Sequence, residues 1–180
     1  YSHQAGIGGM VNNLGTPAYQ GYLNDRCVTI AEALRSAGYS TLMCGKWHVG
    51  EKKPHWPLDR GFDRFFGLIS GAGNYFKRDP ERTWLLGDQP FEAPDENFYI
   101  TDAITDYAVT FLNESAAGRK PFFLYLSYNA PHWPLHAREE DIAKYRGKYT
   151  KGWDALRLER HKRELKLGIV DKRWPLAPRD

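Results

Sequence analysis

Lys46 and His48 stand two residues apart in the stretch Gly45-Lys46-Trp47-His48. A short apolar run, Tyr39-Ser40-Thr41-Leu42-Met43-Cys44, leads into them. If that run is a strand reaching residue 48, its period-two alternation puts Lys46 and His48 on one face and Trp47 on the other. A lysine, with a reference pKa of about 10.4, stays protonated at neutral pH and can neutralise charge on an oxyanion in a transition state. An imidazole titrates near pH ~6.5 and can give or take a proton. Together they suit transfer of a compact anionic group. A third residue, His132, follows a second apolar run, Pro121 to Tyr128, in Asn129-Ala130-Pro131-His132-Trp133-Pro134. Taken singly, the three read equally as a surface lysine, a packed loop histidine and a histidine fixed between prolines. The spacing does not say which histidine is acid and which is base.

The elements that must position these residues are legible in outline. Residues 1–24 are rich in glycine and polar residues and read as loop. Thr29-Ile30-Ala31-Glu32 is a capping-box pattern, predicting a helix from Thr29 through Ala37 that stops at Gly38. A strand over residues 40–44 follows. Residues 49–97 are broken by prolines and glycines and predict a long excursion with short strands, Thr83-Trp84-Leu85-Leu86 among the candidates. Ile104, Ala108, Phe111 and Leu112 mark one face of a helix from about 100 to 114. The run from Pro121 to Tyr128 predicts a buried strand. Shorter and longer charged helices are expected at 138–146 and 153–167. Helices alternating with strands predict an α/β fold, mostly parallel sheet flanked by helices, in one domain without a second. In such sheets ligands bind at the carboxyl ends of strands, where Lys46, His48 and His132 would lie.

Composition narrows the function classes. A net charge of +3 on 180 residues is too small to argue for nucleic acid, and no nucleic-acid motif accompanies it. No apolar run is long enough to span a membrane. The two cysteines, Cys27 and Cys44, make neither a disulfide framework nor a zinc site, and Cys44 reads as a buried small hydrophobe. Transfer of an anionic group needs a nucleophile and usually a metal. No zinc-protease, P-loop or calcium-loop pattern is present. Asp59, Asp63 and Asp79 are candidate ligands, although scattered surface acids read the same way. The basic segment 146–173 reads as a solvated helix face.

Several segments resemble the type I sulfatase family, the arylsulfatases. They are His3-Gln4-Ala5-Gly6-Ile7-Gly8-Gly9-Met10, Thr29 to Leu34 leading to Gly38-Tyr39, Gly45-Lys46-Trp47-His48, Leu58-Asp59-Arg60-Gly61-Phe62-Asp63, and Pro121 to Leu124 leading to Ala130-Pro131-His132-Trp133-Pro134. The resemblance implies a partial alkaline-phosphatase-like sandwich and hydrolysis of aryl or carbohydrate sulfate monoesters with a formylglycine and a calcium ion (Ca2+). It implies that Lys46 contacts the sulfate and the formylglycine. It makes His48 a base that contacts the formylglycine hydroxyl. It makes His132 a sulfate ligand that protonates the leaving alcohol. The family's Cys/Ser-x-Pro-x-Arg signature and its paired calcium-binding aspartates do not occur here. The chain is therefore expected to be an internal fragment, inactive alone, whose nucleophile and metal ligands lie elsewhere. An exported parent (periplasmic, extracellular or lysosomal) is implied by the resemblance only. A phosphonate or phosphate ester hydrolase of the same superfamily and a non-catalytic pseudoenzyme are the alternatives.

Overall fold

A computed structural model describes residues 1–94 and 96–179. The chain divides into two compact units, Tyr1–His136 and Ala137–Asp180.

The first unit is built on a five-stranded sheet. Its strands are β1 (Ser40–Lys46), β2 (Arg64–Leu68), β3 (Trp84–Leu86), β4 (Gln89–Pro90) and β5 (Phe122–Ser127), in the order β4-β3-β2-β1-β5. β1 pairs in parallel with both β2 and β5, while β3 and β4 extend the sheet antiparallel. Helix α1 (Ile30–Ser36) leads into β1, and helix α2 (Ile100–Ala117) lies on the connection that returns the chain to β5, parallel to β1.

The sheet has a core on each face. Alternate residues of β1 divide between them: Leu42 and Cys44 join Phe66, Leu68 and Trp84 against Ile100, Ile104, Ala108 and Phe111 of α2. Met43 faces the other way, with Phe65, Ile69 and Leu85 packed beside Ala31 of α1, Trp47 and Phe62. Burying a large apolar side chain of this kind contributes roughly 1.5–3 kcal/mol. β1 is thus covered on both faces and paired on both edges, the most constrained strand in the unit.

α1 starts where the capping box places it. The Glu32 amide donates to Thr29 Oγ1 at 3.0 Å and the Thr29 amide donates to Glu32 Oε2 at 2.8 Å. Glu32 also pairs with the buried Arg60, 2.7 Å away. Arg60 donates in addition to the carbonyls of Leu23 and Cys27, so one guanidinium ties α1 to the N-terminal loop. The three candidate acids have structural duties. Asp63 pairs with Arg35 and accepts from the Thr41 amide. Asp59 accepts from the Trp56 amide and Asp79 from the Asn74 amide.

The excursion at 49–97 does carry short strands: β3 falls on the residues named for it, while the place of β2, a core strand, was disguised by prolines and glycines. One expectation needs correction. β5 is not a buried strand but an edge strand, with Phe122, Tyr125 and Leu126 each at least 40% exposed.

The second unit carries α3 (Glu139–Ala143) and α4 (Gly152–Lys166), neither of which has a buried residue. Lys151–Glu159, at 3.0 Å, and Arg179–Asp154 are among its ion pairs. This matches the reading of a solvated basic helix.

Candidate functional site

Lys46 is the last residue of β1. Its approach depends on Gly45, at φ +120°, where a Cβ would lie 1.8 Å from the Ser127 carbonyl oxygen of β5. No other residue type fits there. Ser127 Oγ donates to the Lys46 carbonyl at 2.8 Å, fastening the end of β1 to the end of β5.

His48 lies beyond the strand. The amides of Trp47 and His48 both donate to the same neighbouring segment, to Leu68 O at 2.9 Å and Ile69 O at 3.0 Å. Successive amides of a strand cannot do this, so the alternation argument stops at Trp47. His48 instead takes a left-handed backbone conformation, φ +57°. Its ring lies against the backbone of Gly71, where a Cβ would come within 2.4 Å of the imidazole. A turn, not a strand period, brings His48 into the neighbourhood of Lys46.

His132 enters from the end of β5. Its amide donates to the Asn129 carbonyl at 3.0 Å, and Asn129 itself is buried. The His132 Nδ1 stands 2.7 Å from the Trp133 carbonyl oxygen. A carbonyl only accepts, so Nδ1 carries the proton and Nε2 is left to take or deliver another. Tyr75, 1% exposed, holds this loop. Its hydroxyl donates to the His132 carbonyl at 2.9 Å, and its amide donates to His136 Nδ1 at 3.4 Å. Nothing in the sequence marked Tyr75 as a support for His132, because its place depends on a contact 57 residues away.

His48 is close enough to feel the charges of both Lys46 and His132. Burial lowers the pKa of His48, and the charges of Lys46, His132 and Arg82 lower it further. Burial likewise lowers the pKa of Lys46. No carboxylate contributes to either shift. Arg82 is the cation that sequence reasoning missed. It precedes β3, and because β3 runs antiparallel to β2, its start falls at the edge where β1, β2 and β5 end. The signal was available: the strand at 83–86 was foreseen, but its direction was not.

The described residues do not fit a calcium site, since no cluster of three or more His, Cys, Asp or Glu occurs among them. The cysteines do not fit a modified nucleophile. Cys44 lies inside β1 with its thiol pushed up to about 12 by burial. Cys27 Sγ donates to the Asn24 carbonyl at 3.2 Å and lies beside Arg60. What the edge does fit is an anion, since the charges that reach His48 are those of Lys46, His132 and Arg82.

Comparison with known proteins shows the family of the chain. A family model described as Sulfatase matches residues 1–173. An uncharacterized sulfatase of Schizosaccharomyces pombe is 35% identical, over 99% of this chain and 36% of its own length. An arylsulfatase of Klebsiella aerogenes is 32% identical, over 97% of this chain and 40% of its own. The crystal structure of Ps i-CgsB in complex with k-i-k-neocarrahexaose superposes with a TM-score of 0.68 at 31% identity, over 80% of this chain and 35% of that one. The α/β fold expected from the sequence is the fold of these structures. The chain spans 36% and 40% of the length of the two curated relatives. It belongs to the sulfatase family.

Proposed function

We propose that the chain forms the Lys46–His48–His132 part of an active site in a longer protein that hydrolyses aryl or carbohydrate sulfate monoesters. One observation carries the reading: two strand ends and a turn bring a lysine and two histidines to one sheet edge, where the charges of Lys46 and His132 reach His48. Lys46 neutralises the sulfate oxygens as charge develops on them. His132 binds the sulfate and, with its Nδ1 proton held on the Trp133 carbonyl, uses Nε2 to protonate the leaving oxygen. His48, kept neutral at physiological pH by burial and cationic neighbours, acts as the base. A formylglycine supplies the nucleophilic oxygen, and it and the calcium ligands come from residues outside 1–180. Both units belong to one catalytic domain in this reading, supported by a family match that runs through both. The reading also extends to an exported parent.

The test is a leaving-group series in the full-length protein. His132→Ala is expected to slow alkyl and sugar sulfates about 100- to 10,000-fold. Aryl sulfates with acidic phenols, which need no protonation, lose far less. An equal loss across the series removes His132 from the proton-transfer step.

A further inference from the structure

Arg82 is not used by the reaction as proposed, yet its surroundings are unusual for an arginine. It is half-buried, and among the described residues its side chain has no ion pair and no hydrogen bond. Asp79, three residues before it, accepts from the Asn74 amide. Its backbone is fixed. The Arg82 amide donates to the Asp79 carbonyl at 2.9 Å, and the next residue, Thr83, accepts from the Ile69 amide at 3.0 Å. Ile69 is the residue whose carbonyl accepts from His48. A short stretch of backbone therefore links Arg82 to His48, and the guanidinium charge reaches the imidazole. A partly buried cation close to His48, with no ion pair of its own among the described residues, is unfavourable unless an anion offsets it.

The width of the edge decides which anion. In the order β3-β2-β1-β5, the strands leading to Arg82 and His132 stand three spacings apart, roughly 14 Å. One tetrahedral oxyanion held by Lys46 and His132 does not span that distance. Resting on the sulfatase reading above, we infer that Arg82 is a second anion-binding point. It selects sulfate esters whose leaving group carries a further anionic substituent, a second sulfate or a carboxylate. The guanidinium fork suits either group, because both present two oxygens side by side.

The experiment measures binding of three disaccharides to the full-length protein by calorimetry: one monosulfated, one disulfated, one monosulfated with a uronate. The wild type is expected to prefer one or both of the doubly charged sugars. Arg82→Gln should weaken that preference about 10- to 100-fold, with a smaller loss for the monosulfated sugar. Arg82→Lys, which keeps the charge and loses the fork, should fall between, and it serves if the glutamine variant does not fold. Whichever sugar loses most identifies the second group. Equal losses for all three sugars, or no loss for any, overturn the inference. Turnover of para-nitrophenyl sulfate by the wild type reports separately on the sulfatase reading, because that substrate carries no second anion.

Discussion

His48 holds a backbone conformation that costs a non-glycine residue about 1–2 kcal/mol. The bond from its amide to Ile69 and the flat backbone of Gly71 under its ring keep it there. Strain maintained by surrounding structure is common where a side chain must be aimed. The consequence for chemistry lies in the pKa. Burial, then the charges of Lys46, His132 and Arg82, disfavour the imidazolium. The neutral base therefore persists to lower pH than an ordinary histidine, whose reference pKa is about 6.5. In the full-length protein, the acid limb of kcat/KM for para-nitrophenyl sulfate should lie below that value. Arg82→Gln removes one of the cations that suppress protonation, so the limb should move up in pH. A limb above the ordinary histidine value in the wild type, or a downward move in the variant, contradicts the base role of His48.

At the scale of elements, local signals were legible and long-range ones were not. The capping box at Thr29 and Glu32, the glycine stop, the apolar face of α2 and the two runs ending near His48 and His132 are all encoded within a few residues. β2 was hidden because Gly67 interrupts its apolar pattern, and that glycine is required by a neighbour: a Cβ there would lie 2.0 Å from Gly45 O. The burial of β5 was overestimated because an apolar run does not reveal whether its strand has one partner or two. Lys46, His48 and His132 were candidates by type and position. The left-handed turn at His48, the support from Tyr75 and the arrival of Arg82 on an antiparallel strand all arise from tertiary contacts. The capping box itself allows a quantitative check. Thr29 also donates to the Arg60 carbonyl at 2.8 Å, so its hydroxyl serves helix and loop together. Burial alone would raise the pKa of Glu32, but hydrogen bonds from Arg60 and Thr29 outweigh it and bring the value below the usual one. Thr29→Ala should therefore destabilise by about 2 kcal/mol, the upper end for a lost cap. The urea midpoint with an unchanged m-value measures it. A loss under about 0.5 kcal/mol would mean that the cap is not holding α1 and Arg60 together.

At the scale of the molecule, the sheet explains how three residues distant in sequence come to one edge. β1 is central and parallel to both neighbours, so its carboxyl end is flanked by the end of β5 on one side and by the segment after β2 on the other. The antiparallel β3 adds the start of its own strand to the same edge. The apolar edge of β5 is left exposed. The chain covers about two fifths or less of its relatives' length, and the reading places the nucleophile and metal ligands in the remainder. The most direct test is a crystal structure of the full-length protein with inorganic sulfate bound. The sulfate oxygens should lie within about 3.2 Å of Lys46 Nζ and His132 Nε2, with His48 beside the formylglycine. Sulfate bound away from this edge, or Lys46 and His132 turned to opposite faces of the sheet, would contradict the proposed site.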